Sequence, residues 1–416
     1  MSTGPVPGPG PLLPVEAALA TVLEGVDPLE PEPVTLEHAQ GRVTAGAIRG
    51  GADVPAFDNS AMDGFAVRSG DVRGATAAEP VELSVKGESR AGTPWTGSVA
   101  RGEAVGISTG AVLPEGADAV IRVEDVTSAS GGIVVSREVG SGHDIRRRGE
   151  VARAGEEVLG QGTRLGAVEL GILATAGCGL VRCHRRPRVT VLTSGDELVE
   201  PGTELEPGQI WNSNSTVISA LIRDAGGKLV AAQSVPDRHQ ETVHALEDAL
   251  GSDLVVICGG VSVGEHDHVK PALAELGVEQ KFWRIALKPG RPAWFGTRGD
   301  SRVLGLPGNP VSALVVFRLL AHPLLRALSG EIGGAVPLRG RLAAPVERLP
   351  GRMQAVPCRF AVGNQSGDFE PLPQLGSHDF LSLRGARLLA LVPEGTGRAE
   401  AGEEVEAVPL GADNMA

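Results

Sequence analysis

From Arg188 to about Leu328 short apolar strands alternate with helical stretches, and this alternation commits the segment to a mostly parallel sheet covered by helices. The strands read VTVLTS, GKLVAAQSV, DLVVICGG, FWRIAL and VLGL. Between them the spacing predicts helices over about Thr216–Ala225, Gln240–Leu250 and His268–Glu275, and a last one opened by Asn309 and Pro310. The first is expected to be capped by Asn214 or Ser215 and stopped by Gly226-Gly227. In a doubly wound sheet the carboxyl ends of parallel strands line one crevice where ligands bind. Three strands here run into turns of small residues, acids, amides and hydroxyls: VTVLTSGDEL, LVVICGGVSVGEHD and VLGLPGNPVSA. They predict one shared pocket.

The chemistry of those turns narrows the ligand. Ser194, Gly195, Asp196 and Glu197 put a hydroxyl, a glycine and two acids at one strand end. Gly259, Gly260 and Ser262, followed by Glu265 and Asp267, add open backbone, a hydroxyl and two further acids. Pro307, Asn309, Pro310 and Ser312 supply a rigid turn and a helix start, whose free N–H groups and dipole suit an oxyanion. Lys288 and Arg291, in KPGRP, bring positive charge from an adjoining turn. Acids beside such groups suit a divalent cation such as Mg²⁺, which takes a few carboxylates and fills the rest of its shell with phosphate oxygens. The combined site is that of a phosphorylated ligand with a metal. Each motif has a plainer reading: GGVSVG is neither a Walker A loop nor a GxGxxG, the GDEL acids could cap a helix or stay solvated, and Asn309-Pro310 could be capping alone. His266 and His268 lack partners at zinc spacing.

The flanks have a different texture. At 416 residues the chain calls for several cores. Residues 1–11 read as a disordered Gly/Pro-rich tail, and residues 12–26 carry a helical period. From about 34 to 140 the period is lost in favour of short strands broken by Gly and Pro, and from Pro337 such strands return in LRGRLAAPVERL, RLLALVPEG and EEVEAVPL. The expected division is therefore a discontinuous N-terminal linker domain over 12–54 and 141–187, a β domain over 55–140, the α/β domain over 188–330 and a C-terminal β domain over 331–416. A net charge of −13 argues against a general nucleic-acid binder, although Arg146-Arg147-Arg148 is a local basic run. Uninterrupted apolar runs are well short of a membrane span. The four scattered cysteines fit reduced thiols, hence a cytoplasmic location.

One stretch, PAFDNSAMDGFAV, concentrates Asp58, Asn59, Ser60, Met62 and Asp63 in a β region, and composition leaves open whether it folds a tight turn or reaches into a site. Taken with STGAVLPEGADAVIRVEDV, IRRRGEV, TSGDEL, CGGVSVGEHD, KPGRP and GLPGNPVSA, in that order, it makes the chain similar to MoeA-type molybdopterin molybdenumtransferases and to the gephyrin E-domain, over nearly all residues from about Leu12.

That resemblance implies a multidomain α/β plus β fold: a three-layer α/β domain of the molybdopterin-binding type, a β domain, a discontinuous helical domain and a C-terminal β-barrel-like domain. It implies an elongated homodimer with its site between the α/β domain of one subunit and the β domain of the other. The implied reaction takes adenylylated molybdopterin and molybdate, with Mg²⁺, and yields molybdenum cofactor and AMP. Its functional residues match Asp63, Thr109, Glu197, Asp253 and Asp267; Asp63, Glu197 and Asp267 are the implied metal ligands. Ser194, Gly195, Asp196, Gly259, Gly260, Ser262, Lys288, Arg291, Pro307, Asn309, Pro310 and Ser312 fall in the substrate-binding loops. Implied partners are a molybdopterin adenylyltransferase and apo-molybdoenzymes or cofactor chaperones, with neither nucleic acid nor membrane. Phe65 stands where Tyr is usual. A molybdopterin adenylyltransferase and a non-enzymatic scaffold are the alternative readings; the extra β domains and GGVSVG in place of GGTG speak against the first, and the intact acid set against the second.

Overall fold

The computed structural model describes residues 12–261, 267–333, 337–361 and 367–411. Its centre is a six-stranded sheet in the order Lys228–Val235, Arg188–Ser194, Leu254–Cys258, Ser301–Leu306, Trp294–Arg298, Glu279–Trp283. The first four strands are parallel, Trp294–Arg298 pairs antiparallel with the fourth, and Glu279–Trp283 pairs antiparallel with Trp294–Arg298. The β-branched runs behave as a strand buried on both faces must. Val191, Val256 and Leu304 face one way and pack with Ile218, Ile222 and Val315, whereas Leu192, Val255, Ile257 and Val303 face the other and pack with Leu246, Val269 and Leu273. Each fully buried large aliphatic contributes roughly 1.5–3 kcal/mol, so the two layers of helices hold the sheet from both sides.

The helices that make those layers are Ser213–Asp224, His239–Ala249, Val269–Glu275 and Pro310–Val316. The first begins earlier than the spacing predicts, because its cap is Asn212 rather than Asn214 or Ser215: the Asn212 carboxamide accepts from the Ser215 N–H at 3.1 Å. Asn212 is buried, and its amide donates to the hydroxyls of Thr193 and Ser234 at 2.7 and 2.9 Å, which locks the helix start to two strand ends. Pro310–Val316 runs on through a π-helical turn, Phe317–Ala321, into His322–Leu328. This 19-residue helix is apolar and long enough to cross a bilayer, but 78 % of its apolar window is buried inside the fold, where it serves as the central core helix.

The expected helix near the start of the chain forms over Val15–Leu23, and it packs on that core helix, in a hydrophobic cluster separate from that of Val34 and Ala39. Leu13 bridges to Ile285 of the α/β domain. The remaining halves of the discontinuous domain do join: Pro31–Thr35 pairs with Leu180–His184 and Ile48–Arg49 with Glu157–Leu159, over a core of Val34, Leu165, Leu173 and Val181. The β domain is a six-stranded sheet built from Gly64 to Val135, with Val67, Leu83, Ala104, Ile121 and Ile133 inside. Phe65, lacking the hydroxyl, packs against that core. The C-terminal domain has the three expected strands plus Met353–Phe360, which sits between Leu287–Lys288 and Leu388–Val392. Lys288, a residue of the KPGRP turn, is thus a strand residue of the C-terminal sheet, in parallel register with Gln354.

Candidate functional site

The carboxyl ends of the central parallel strands open into a cavity of about 550 Å³. Ser194 and Glu197 come from the first of the expected loops, Cys258, Gly259, Gly260 and Val261 from the second, and Pro307, Gly308, Asn309 and Pro310 from the third. The shared pocket is real, and it is floored by backbone. Gly259 has φ +90°, and a Cβ there would lie 2.7 Å from the Ser194 carbonyl oxygen. Gly260 has φ +63°, and a Cβ would lie 2.4 Å from Val269. The loop can pass beneath the cavity only because both positions are glycine.

Local hydrogen bonds set the walls. The Ser194 hydroxyl donates to Asp237 at 2.5 Å, and the Asp237 N–H donates to Asp196 at 3.2 Å, so a turn that carries no motif steadies the TSGDEL loop. Glu197 is exposed into the cavity, while Gly195 at its back has φ +153° and would push any Cβ to 2.6 Å from the Glu197 carboxylate. Asn214 lines the cavity and donates to the Gly308 carbonyl at 2.7 Å, while its own carbonyl oxygen is buried with no hydrogen-bond partner among the described residues. Trp211 and Ile210 form an apolar side, and His378 reaches in from the C-terminal domain. The neighbouring Ser377 accepts from the Asn309 amide at 2.8 Å. Sequence reasoning missed Asp237, Asn212, Asn214, Trp211 and His378. The amides follow a strand within the WNSNS segment, which was a signal; His378 lies in an irregular loop of another domain and had none.

Several expected residues stand elsewhere. Lys288 and Arg291 are exposed and do not line the cavity; of that turn only Pro292 does. Their backbones are committed to the C-terminal sheet and to closing the turn, where the Ile285 N–H donates to the Arg291 carbonyl at 3.0 Å. Ser312 is buried one turn inside its helix. Asp267 precedes the Val269–Glu275 helix, outside the cavity lining, and Ser262 and His266 lie outside the described residues.

Asp253 is at the wrong end of the sheet. It precedes the Leu254–Cys258 strand, opposite the carboxyl ends that form the cavity, and grips Arg185 in a bidentate pair at 2.6 and 2.8 Å while accepting from the Arg188 N–H at 2.6 Å. Burial alone would raise its carboxyl; Arg185 and the Arg188 N–H outweigh that and hold it below the usual carboxylate range. Its place in the fold is structural.

Asp63 and Thr109 do meet, in a separate cavity of about 460 Å³ on the β domain. The Thr109 N–H donates to the Asp63 carboxylate at 2.7 Å, and Arg122, Glu124, Arg137 and His143 share the cavity wall. The PAFDNSAMDGFAV stretch therefore does both things left open by its composition. It folds a tight turn, with the Ser60 hydroxyl donating to the Met62 carbonyl at 2.5 Å, and it presents Asp63 to a cavity. The Arg146–Arg148 run is a seam: Arg147 meets Asp58 at 2.6 Å and Arg148 meets Asp53 at 2.5 Å, and the Arg148 N–H and the Arg147 guanidinium hold the Asp58 carboxyl below the usual carboxylate range. Within one chain the acids Asp63, Glu197 and Asp267 do not form a metal cluster, and among the described residues no group of three or more His, Cys, Asp or Glu does.

A three-layer α/β domain with a glycine-floored cavity at its parallel strand ends, carried between a discontinuous domain and two β domains, defines a multidomain ligand-binding protein of the molybdopterin-binding class. Family profiles cover almost the whole chain: the MoeA N-terminal region (domain I and II) over residues 13–177, the probable molybdopterin binding domain over 190–327, and the MoeA C-terminal region (domain IV) over 339–410. The molybdopterin molybdenumtransferase of Haemophilus influenzae is 37 % identical over 96 % of this chain and 99 % of its own, and that of Nostoc sp. 33 % over 91 % and 88 %. Two crystal structures of the molybdopterin biosynthesis MoeA protein from Pyrococcus horikoshii superimpose over 96 % of the chain with TM-scores of 0.80 and 0.81, at 34 % and 30 % identity. The chain belongs to the MoeA family of molybdopterin molybdenumtransferases.

Proposed function

We propose that the protein inserts molybdate into adenylylated molybdopterin, forming molybdenum cofactor and releasing AMP. The observation that carries this reading is the cavity at the parallel strand ends, which combines a glycine-backbone floor, one carboxylate at Glu197 and a helix start at Asn309 in a chain of this family. The backbone N–H groups and the helix start hold the phosphate oxygens. Cleavage of the phosphoanhydride lets AMP leave with an oxygen from molybdate or water, so the site needs no nucleophilic triad.

Glu197, the one acid among the described residues that line this cavity, suits a Mg²⁺ that draws most of its ligands from the phosphoanhydride, with Asp267 following the Gly259-Gly260 loop. Bound there, the cation would neutralise charge that builds on the phosphate oxygens. The three carboxylates need not sit together in one chain if the protein works as a homodimer, with the Asp63–Thr109 cavity of one subunit facing the Glu197 cavity of the other. Cytoplasmic location, and exchange with a molybdopterin adenylyltransferase and with apo-molybdoenzymes or chaperones, complete the reading.

The test is direct. Purified protein with adenylylated molybdopterin, molybdate and Mg²⁺ is expected to release AMP in proportion to molybdate and to reconstitute an apo-molybdoenzyme. Pterin binding without molybdate-dependent AMP release would overturn the assignment.

A further inference from the structure

Trp211 is held in an unusual state for a tryptophan. Its side chain is 51 % exposed, yet the backbone beneath it is clamped on both sides: the Ile210 N–H donates to the Glu197 carbonyl at 2.8 Å and the Asn212 N–H to the Val199 carbonyl at 2.8 Å. The ring is also fixed, because the indole N–H donates to the Thr203 carbonyl at 2.9 Å. The polar edge of the indole is therefore satisfied by its own loop and its apolar face is not. Trp283 offers the contrast. Lys270 and Arg284 lie over its ring at 4.1 and 4.0 Å, whereas among the described residues no ring or cation packs on Trp211. A rigid, oriented aromatic face left bare on the wall of a cavity is a stacking platform prepared before the ligand arrives.

We infer that Trp211 stacks on a planar nitrogen heterocycle of the substrate. This rests on the reading of the cavity as the adenylylated-molybdopterin site. Adenine and pterin share the required chemistry, a flat π-surface that stacks on an indole while its polar edges stay free for hydrogen bonds. Trp211 is thus a positioning residue: it holds the ring so that the phosphoanhydride lies over the glycine loop and Glu197.

The experiment compares the full-length wild type with Trp211→Phe and Trp211→Ala in steady-state turnover of adenylylated molybdopterin, with AMP and a soluble pterin carboxylate as competing inhibitors. Trp211→Ala is expected to raise KM about 10-fold with kcat changed less than about twofold, and Trp211→Phe to restore KM to within about threefold of wild type. The heterocycle that stacks is the one whose inhibition weakens in Trp211→Ala. Tryptophan fluorescence of the wild type should be quenched by that inhibitor, and the quenching should vanish in Trp211→Phe. An unchanged KM in a folded Trp211→Ala overturns the stacking role and leaves the function standing. A wild type with no turnover overturns the function and this inference with it.

Discussion

The Asn309 amide donates to the Ser377 hydroxyl at 2.8 Å, joining the turn that closes the α/β cavity to a loop of the C-terminal domain. The bond is doubled along the backbone, where the Val311 N–H donates to the Ser377 carbonyl at 3.1 Å. Asn309 opens its helix without making a side-chain cap, so its side chain is spent on this contact between domains. Ser377→Ala removes the side-chain bond and keeps the backbone one. The expected result is a loss of about fivefold in kcat/KM with the melting temperature lowered by no more than a few degrees, since one partly exposed neutral hydrogen bond is worth about 1 kcal/mol. Full activity in Ser377→Ala would show that the two domains hold the turn without it.

Glu197 makes no side-chain hydrogen bond to the described residues and faces the cavity. Glu197→Gln is therefore expected to fold as the wild type does, within about 0.5 kcal/mol in a denaturant titration. Its rate of molybdate-dependent AMP release should fall by a factor on the order of 100 or more, the scale for losing a preorganised charged group at a reacting phosphate. Near-wild-type turnover would remove Glu197 from the machinery.

Asp253 should behave in the opposite way. Only 17 % of its side chain is exposed, and Asp253→Asn removes the bidentate partner of the Arg185 guanidinium, leaving it Glu30, which is far more exposed. The expected cost is about 3 kcal/mol at neutral pH, with turnover per folded molecule unchanged. Because the folded-state carboxyl titrates below the ordinary value of 3.8, the stabilisation is present above that value and lost only as pH falls through the lower folded value. Acid unfolding followed from pH 5 downward should thus steepen in wild type and flatten in the variant. Loss of turnover in the folded variant would return Asp253 to the site.

His322 sets a different window. Burial, with Arg318, Arg326 and Arg164 nearby and only Glu331 opposing them, lowers it from 6.5 to about 3. The folded state holds it neutral while the unfolded chain takes up a proton, so stability is complete above pH 6.5 and declines as pH falls toward 3. His322→Gln should lose that slope: its melting temperature should change less than that of wild type between pH 6.5 and 5. Parallel curves for the two proteins would rule the histidine out as the cause.

Gly259→Ala tests the floor of the cavity. The new methyl would lie 2.7 Å from the Ser194 carbonyl oxygen at a φ of +90°. Roughly 1–3 kcal/mol of strain follows, and the loop must move. Substrate KM should rise more than melting temperature falls; a variant with wild-type KM would show that the loop is not the floor of the binding site.

Much of this was legible in the chain itself, for reasons that differ by element. The α/β domain was readable because its central strands are buried on both faces and so appear as apolar runs such as LVVIC, which ends at Gly259. Met353–Phe360 was not, because Gln354, Pro357 and Arg359 break the apolar pattern; Pro357 is tolerated where its carbonyl serves the Leu372 N–H and it has no N–H to offer the ladder. Asp253 was named from the family resemblance alone, and the strand that follows it carries it to the end of the sheet opposite the cavity. Lys288 and Arg291 misled because a basic turn says nothing about which sheet its backbone will join. Trp211 and His378 acquire meaning only when loops remote in sequence meet around one volume.

The strand position of Lys288 bears on how the molecule can be divided. A turn that belongs by sequence to the α/β domain supplies, through Leu287 and Lys288, an outer strand of the C-terminal sheet, next to Met353 and Gln354. A chain cut near residue 330 would strip that strand of its neighbour, and the severed C-terminal part would in turn show a bare edge ready to pair with other chains. The two regions share a seam two residues long, and dividing them leaves an unpaired strand margin on each side of the cut.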